Sequence, residues 1–248
     1  MSRLAFSFAI GAVLAIAACG GSANGETTAR THVVVFAAAS LKPPFDSAAK
    51  QLPDLDITFD YAGSQTLTSQ LTQGAHADVF ASADMAHMKT VLDAGLVSGQ
   101  PTVFAHNRLE IAVQRGNPKG IHTLADLARP GIVVVLADAS VPAGKYAQQA
   151  LTKAGVTVKP ASLELMVTAV LSKVALGDAD AGIVYVSDVV TSGQVDGVAI
   201  PDDDNIIANY PIAKLKDSTS AAAADRFIHF LLSGQGQVVL AAAGFEKA

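Results

Sequence analysis

Four short segments of this chain lead from an apolar stretch through small residues into a helix start. They are Phe36-Ala37-Ala38-Ala39-Ser40, Tyr61-Ala62-Gly63-Ser64, Val141-Pro142-Ala143-Gly144 and Leu165-Met166-Val167-Thr168. A helix start exposes backbone N–H groups that have no intrahelical acceptor, and it carries partial positive charge. Several starts aimed at one point make an anion site that needs no lysine or arginine. A lone serine at a helix start is ordinarily a cap. Two of them, Ser40 and Ser64, each behind an apolar strand and small residues, point instead to a ligand, and the pattern predicts capture of a small oxyanion. Hydrolytic chemistry lacks its signature: Ser64 follows Gly63, but Thr66 stands where a G-x-S-x-G elbow needs its second glycine. The six histidines, His32, His76, His87, His106, His122 and His229, form no metal-type pair three or four apart.

The elements that must position these groups alternate. Val33–Phe36, Leu55–Tyr61, Ala77–Ala81, Phe104–Gln114, Ile132–Leu136 and Ala181–Val186 read as strands. Helices are expected over Lys42–Leu52, Thr66–Thr72, Met85–Ala94, Leu124–Leu127, Gly144–Ala154, Val167–Leu176, Ala221–Leu232 and Gly236–Ala243. Gly95, Gly155 and Gly177 supply stops. Pro43 and Pro44 fit a first helical turn, where a missing N–H costs little. This alternation predicts α/β units with mostly parallel sheets. Half of the 248 residues are apolar, enough to bury a core in one large domain or two lobes. The net charge of −5 gives no general attraction to nucleic acid or to an acidic membrane, so an anion must be held by local dipoles. Asp202-Asp203-Asp204 reads as a solvated turn. Lys42 and Lys145, in two first helical turns, either add positive potential to a cleft or face solvent.

The N-terminus reads as a targeting segment. Arg3 precedes an apolar run, Leu4–Ala18, too short for a membrane span. Ile16-Ala17-Ala18-Cys19 resembles a lipobox, whose cysteine is lipidated and becomes the mature N-terminus. Residues 1–18 are thus expected to be a lipoprotein signal peptide and residues 19–31 a flexible tether. Cys19 is the sole cysteine, so no disulfide can form within the chain.

Four stretches then carry a family resemblance: VFAAASL (35–41), ADVFASAD (77–84), VPAGKYA (141–147) and ADAGIVYVSD (179–188). In order and spacing the chain resembles the molybdate-binding proteins of ABC importers over nearly all of residues 32–248. The resemblance implies a two-lobed, type II periplasmic-binding-protein-like α/β fold, each lobe a mixed, mostly parallel sheet flanked by helices. Lobe one is expected over 32–111 plus 207–248 and lobe two over 112–206, with crossings in Leu109–Val113 and near Pro201–Ile207. It implies a molybdate site formed by the Ser40 and Ser64 hydroxyls, the backbone amides of Ala143 and Val167, and the Tyr185 hydroxyl. No protein atom is expected to ligate molybdenum directly, and no cofactor is expected. Gly63 stands where relatives often have serine, and Met166 where they often have a short polar residue.

Molybdate is a dianion with four acceptor oxygens and no proton at neutral pH, so its host should offer donors only. The five residues supply about seven. A protonated oxyanion would set donor against donor, sulfate would fit a larger cage loosely, and tungstate should bind as molybdate does. A receptor for sulfate or ferric ion is the alternative, the latter needing some of Tyr61, Tyr146, Tyr185 and Tyr210 gathered by folding. An extracytoplasmic hydrolase is the more distant one. The expected partners are an ABC permease and its ATPase, with a lipid anchor at Cys19 holding a monomer to the membrane.

Overall fold

The computed structural model describes residues 30–248. The expected signal peptide over residues 1–18, the expected lipidation at Cys19 and nearly all of the expected tether over 19–31 lie outside the described residues. The chain folds as β1 (Thr31–Ala38), α1 (Lys42–Ala49), β2 (Leu55–Ala62), α2 (Ser64–Thr72), β3 (Val79–Ala81), α3 (Met85–Asp93), β4 (Thr102–Asn107) and β5 (Leu109–Gln114). There follow β6 (Val134–Ala137), α4 (Pro142–Lys153), β7 (Ser162–Glu164), α5 (Val167–Leu176), β8 (Ala181–Tyr185), α6 (Val186–Ser192) and β9 (Val195–Ala199). The chain ends with β10 (Ala208–Lys214), α7 (Ala221–Leu232), α8 (Gly234–Ala242) and β11 (Glu246–Lys247). Single 3-10 turns occupy Ala39–Leu41 and Leu124–Ala128.

The strands form two sheets, and so two lobes. The first has six strands in the order β11-β4-β10-β3-β1-β2, the second five in the order β7-β6-β8-β5-β9. In the first, β1 pairs parallel with β2 and β3, while β10, β4 and β11 run antiparallel to their neighbours. In the second, β6 pairs parallel with β7 and β8, while β5 lies antiparallel between β8 and β9. Both sheets are therefore mixed, not mostly parallel. The parallel part comes from consecutive β-α-β units, and the antiparallel part from strands that arrive after crossing from the other lobe.

One expected strand is in fact two. Residues 104–114 divide at Arg108: β4 belongs to the first sheet, and β5, from Leu109 on, pairs with β8 and β9 of the second. The outward crossing is thus Arg108 rather than Leu109–Val113, and residues 109–111 belong to lobe two. The return runs between Ala199 and Ala208. Asn205 fastens the two crossings. Its Oδ1 accepts from Leu109 N–H at 3.0 Å, and its Nδ2 donates to Leu109 O at 2.9 Å. Arg108 adds an outer tie, donating to Asp202 at 2.6 Å and to Glu246 at 2.5 Å. Asp202 of the acidic turn is therefore used, at the surface, as a partner for the crossing arginine.

The main apolar core runs continuously through both lobes, and a smaller cluster around Phe36, Leu67 and Phe80 lies in lobe one. Phe45 packs edge-on to Phe227 with ring centroids 5.3 Å apart, and tilted against Phe104 at 5.9 Å and Phe59 at 6.0 Å. Burying each such ring contributes about 1.5–3 kcal/mol. In lobe two, Ile111, Val134, Val170, Val174 and Ile183 are fully buried or nearly so. Among the described residues no helix is long and apolar enough to cross a membrane.

Candidate functional site

Where the lobes meet, a cavity is lined by Ala38–Ser40, Ala62–Ser64 and Ala83 of lobe one, and by Val141–Ala143, Val167 and Tyr185 of lobe two. All five residues implied by the sequence resemblance, Ser40, Ser64, Ala143, Val167 and Tyr185, line it. The reason is topological. The parallel strands β1, β2 and β3 present their C-terminal ends to one crevice, β6, β7 and β8 do the same from the other side, and each end feeds a helix or a turn. The centre of a water-sized sphere can move through about 10 Å³ of this space. Taken as a sphere and enlarged by a water radius of about 1.4 Å, that gives a hole about 2.7 Å in radius, the scale of a small tetrahedral oxyanion.

The lining offers donors and no fixed charge. Ser64 is the first residue of α2, after the cap residue Gly63. It caps nothing with its side chain; its Oγ accepts from Ala83 N–H at 3.0 Å. A backbone amide cannot accept, so the Ser64 proton is left to donate elsewhere. Ser40 lies within the 3-10 turn after β1, and its Oγ is 3.0 Å from the Tyr210 hydroxyl. Neither serine is thus the simple cap that its sequence position allows. Ala143 is the second residue of α4 and Val167 the first of α5, so neither amide has an intrahelical acceptor. Met166 caps α5 through its backbone, its carbonyl accepting from Ala169 N–H at 3.1 Å.

Tyr185 ends β8 and is 1% exposed, and its hydroxyl has no hydrogen-bond partner among the described residues. Buried hydroxyls are nearly always paired; this one lies on the cavity lining with Tyr210 as its neighbour, and its proton is available to a ligand there. Burial pushes its pKa well above the ordinary phenol value, which keeps the proton on. Beneath it, Asp188 accepts from the Tyr185 amide at 3.0 Å. Burial pushes the Asp188 carboxyl up to about 7, against the lowering effect of that bond.

Two glycines set the approach of the backbones. A Cβ on Gly144 would overlap the carbonyls of Ala137 and Asp138, so the start of α4 can sit against the end of β6 only without a side chain. A Cβ on Gly63 would lie 2.7 Å from the Leu165 carbonyl of the opposite lobe. Gly63 has φ −61°, so its role is close approach between lobes and not the eased turn that its sequence context suggests. Beside it, Gln65 Nε2 donates across the cleft to Leu165 O at 2.9 Å. The lysines stand apart from the cavity: Lys42 pairs with Asp46 at 2.8 Å and lies over the Tyr61 ring, and Lys145 is exposed. The sequence offers Tyr210 only for the alternative ferric site, and it gives Ala83, Gln65 and Asp188 no role. The nearest signal was that ADVFASAD and ADAGIVYVSD, which hold Ala83 and Asp188, were already marked as motifs.

Residues 33–246 match the family model described as bacterial extracellular solute-binding protein. The molybdate-binding protein ModA of Mycobacterium tuberculosis H37Rv is 42% identical, over 95% of this chain and 94% of its own length. Among solved structures, the substrate-binding domain of a putative molybdenum ABC transporter from Clostridium difficile has 28% identity and a TM-score of 0.68. The match covers 88% of this chain and 99% of that one. The sulfate-binding protein SubI of M. tuberculosis H37Rv has a TM-score of 0.78 over 88% of each chain, and at 20% identity that likeness concerns the fold.

Proposed function

The chain belongs to the bacterial extracellular solute-binding protein family, and we propose that it captures molybdate outside the cytoplasm and delivers it to an ABC importer. The observation that carries this reading is the neutral, donor-only cavity shared by two lobes, with the unpartnered Tyr185 hydroxyl inside it. A buried dianion would cost tens of kcal/mol by a Born estimate if its oxygens were unmet. The Ser40, Ser64 and Tyr185 hydroxyls and the Ala143 and Val167 amides meet them. Charge-assisted bonds of this kind are about twice as strong as neutral ones. Ligand contacts drawn from both lobes favour the closed arrangement over an open one, which is how binding is signalled to a permease and its ATPase.

The alternatives fit less well. A ferric ion wants hard, anionic oxygen ligands, whereas the described lining offers neutral hydroxyls and peptide N–H groups. Tyr185 and Tyr210 do meet, with ring centroids 5.8 Å apart. Among the described residues, however, no group of three or more His, Cys, Asp or Glu is placed to hold a metal. A hydrolase would need a base on its serine, but Ser40 and Ser64 are bonded to a phenol and a peptide N–H. Sulfate has the right charge and shorter bonds, and fills the cage less well. Tungstate binds like molybdate. Cys19, after Ile16-Ala17-Ala18, carries the lipid that holds a monomeric receptor at the membrane surface.

Calorimetric titration with molybdate, tungstate, sulfate and phosphate tests this directly. The expected order is molybdate equal to tungstate, then sulfate, then phosphate. Comparable affinity for sulfate and molybdate would overturn the size argument, and no binding of molybdate would overturn the assignment.

A further inference from the structure

We infer that Tyr210 is a positioning residue that fixes the direction of the Ser40 hydroxyl, and through it the cavity's preference for oxyanions that carry no proton. This rests on the oxyanion reading above and goes beyond it, because Tyr210 does not line the cavity.

The two serines of the cavity are wired alike at one end. Ser64 Oγ receives the Ala83 N–H at 3.0 Å, and an amide can only donate, so the Ser64 proton is free to point at a ligand. Ser40 Oγ stands 3.0 Å from Tyr210 Oη, and two hydroxyls can bond in either direction. Only one direction suits a dianion. If Ser40 donates to Tyr210, a serine lone pair faces the anion and is repelled. If Tyr210 donates to Ser40, the serine proton turns to the anion, and the bonds reinforce one another along the chain.

Tyr210 is well placed to impose that direction. It is fully buried on β10, next to the return crossing and 170 positions from Ser40. Its ring is wedged edge-on against Phe245 at 5.1 Å, Tyr185 at 5.8 Å and Phe104 at 6.5 Å, so the phenol cannot swing away. With Tyr210 donating, Ser40 has no acceptor role left to offer a ligand. Hydrogen phosphate, which brings one proton, then meets only donors. Sulfate, close to it in size and equal in charge, meets the same donors with no proton of its own, so every oxygen can accept. Without the Tyr210 hydroxyl, Ser40 can rotate and accept the phosphate proton.

The test titrates wild type, Tyr210→Phe, Ser40→Ala and the double variant with molybdate. It then displaces molybdate with sulfate and, separately, with phosphate at pH 8. Tyr210→Phe should weaken molybdate binding by about two- to tenfold, and the sulfate-over-phosphate preference should fall toward parity. The double variant should bind molybdate no more weakly than Ser40→Ala alone. Equal weakening of sulfate and phosphate, or losses that simply add in the double variant, would assign Tyr210 a packing role and overturn the inference. If neither smaller ion displaces molybdate, the coupling in the double variant decides. If Tyr210→Phe does not fold by circular dichroism, Phe245→Leu carries the test: it loosens the Tyr210 ring and keeps its hydroxyl, so the sulfate preference should fall, and an unchanged preference overturns the proposal. Wild type that binds no molybdate would instead sink the functional reading itself, a result separable from all of these.

Discussion

Replacing Tyr185 with phenylalanine should move binding and stability in opposite directions. The ring is 1% exposed and its hydroxyl is unpartnered, so in the free protein that oxygen is a buried polar group without compensation. Such a group costs about 1–3 kcal/mol, and phenylalanine fills the same space without it. Tyr185→Phe should therefore leave the free protein at least as stable as wild type, and by about 1 kcal/mol more stable where no water relieves the hydroxyl. For a domain of this size that is a rise in Tm of about 2–4 °C. The complex loses a hydrogen bond to a charged acceptor, about 1.5–3 kcal/mol, so the Kd for molybdate should rise by about 10- to 150-fold. Calorimetric titration reads the second quantity. Urea unfolding with and without saturating molybdate reads the first and checks the difference by linkage. A variant with Kd within twofold of wild type and a less stable free state would refute the reasoning. That result would mean the hydroxyl bonds within the protein and ignores the ligand.

Gly63→Ala sets a methyl group 2.7 Å from the Leu165 carbonyl across the cleft, so the lobes cannot meet as they do. Overpacking of this kind costs about 1–3 kcal/mol, and titration should show molybdate held about tenfold less tightly with the free protein's melting unchanged. Equal affinity would show that closure does not need this contact. Asp188 gives a pH dependence with a definite sign. Its carboxyl is raised from 3.8 to about 7, so between those values the folded chain holds a proton that the unfolded chain has released. Stability should then decline as pH rises through that window, by on the order of 4 kcal/mol at most, and stay low above it. Asp188→Asn should remove that decline and exceed wild type in stability at pH 8; parallel urea curves at pH 5 and pH 8 for both proteins would contradict this. Cys19→Ser should abolish incorporation of labelled palmitate and shift the protein to the soluble fraction, and continued membrane attachment would remove the anchor.

The site was more legible than the frame around it. Ser40, Ser64 and Ala143 stand among small residues that mark where a helix or turn begins, whereas the ligand roles of Val167, after Met166, and Tyr185, between Val184 and Val186, were implied only by the family resemblance. The division at Arg108 left no such mark. FAHNRLEIAVQ has no glycine or proline, and its change of sheet is decided by partners far away in the chain, such as Asn205. The strand expected over Ala181–Val186 ends at Tyr185: Val186 continues the β-branched run but already opens α6. The signal for α6 was Asp188, three residues after Tyr185, which accepts the Tyr185 amide as a capping acid does. α1 stops at Ala49, short of Leu52, and α2 and α4 begin two residues early, at Ser64 and Pro142. β7, β9 and β10 were not foreseen, being short, partly exposed or without clean alternation. The bond of Tyr210 to Ser40 leaves no mark in the sequence for the same reason as the division at Arg108: the two partners are 170 positions apart.

Among the described residues, no lysine or arginine lines the cavity, and this has an outcome in salty surroundings. The body carries an overall charge of −5, so a doubly negative guest diffuses in against a weak long-range repulsion. Dissolved electrolyte shields that repulsion beyond about 10 Å at 0.1 M, yet leaves the short peptide and hydroxyl contacts untouched. Brine should therefore quicken loading without hastening escape, the reverse of a receptor that grips its anion with cationic side chains.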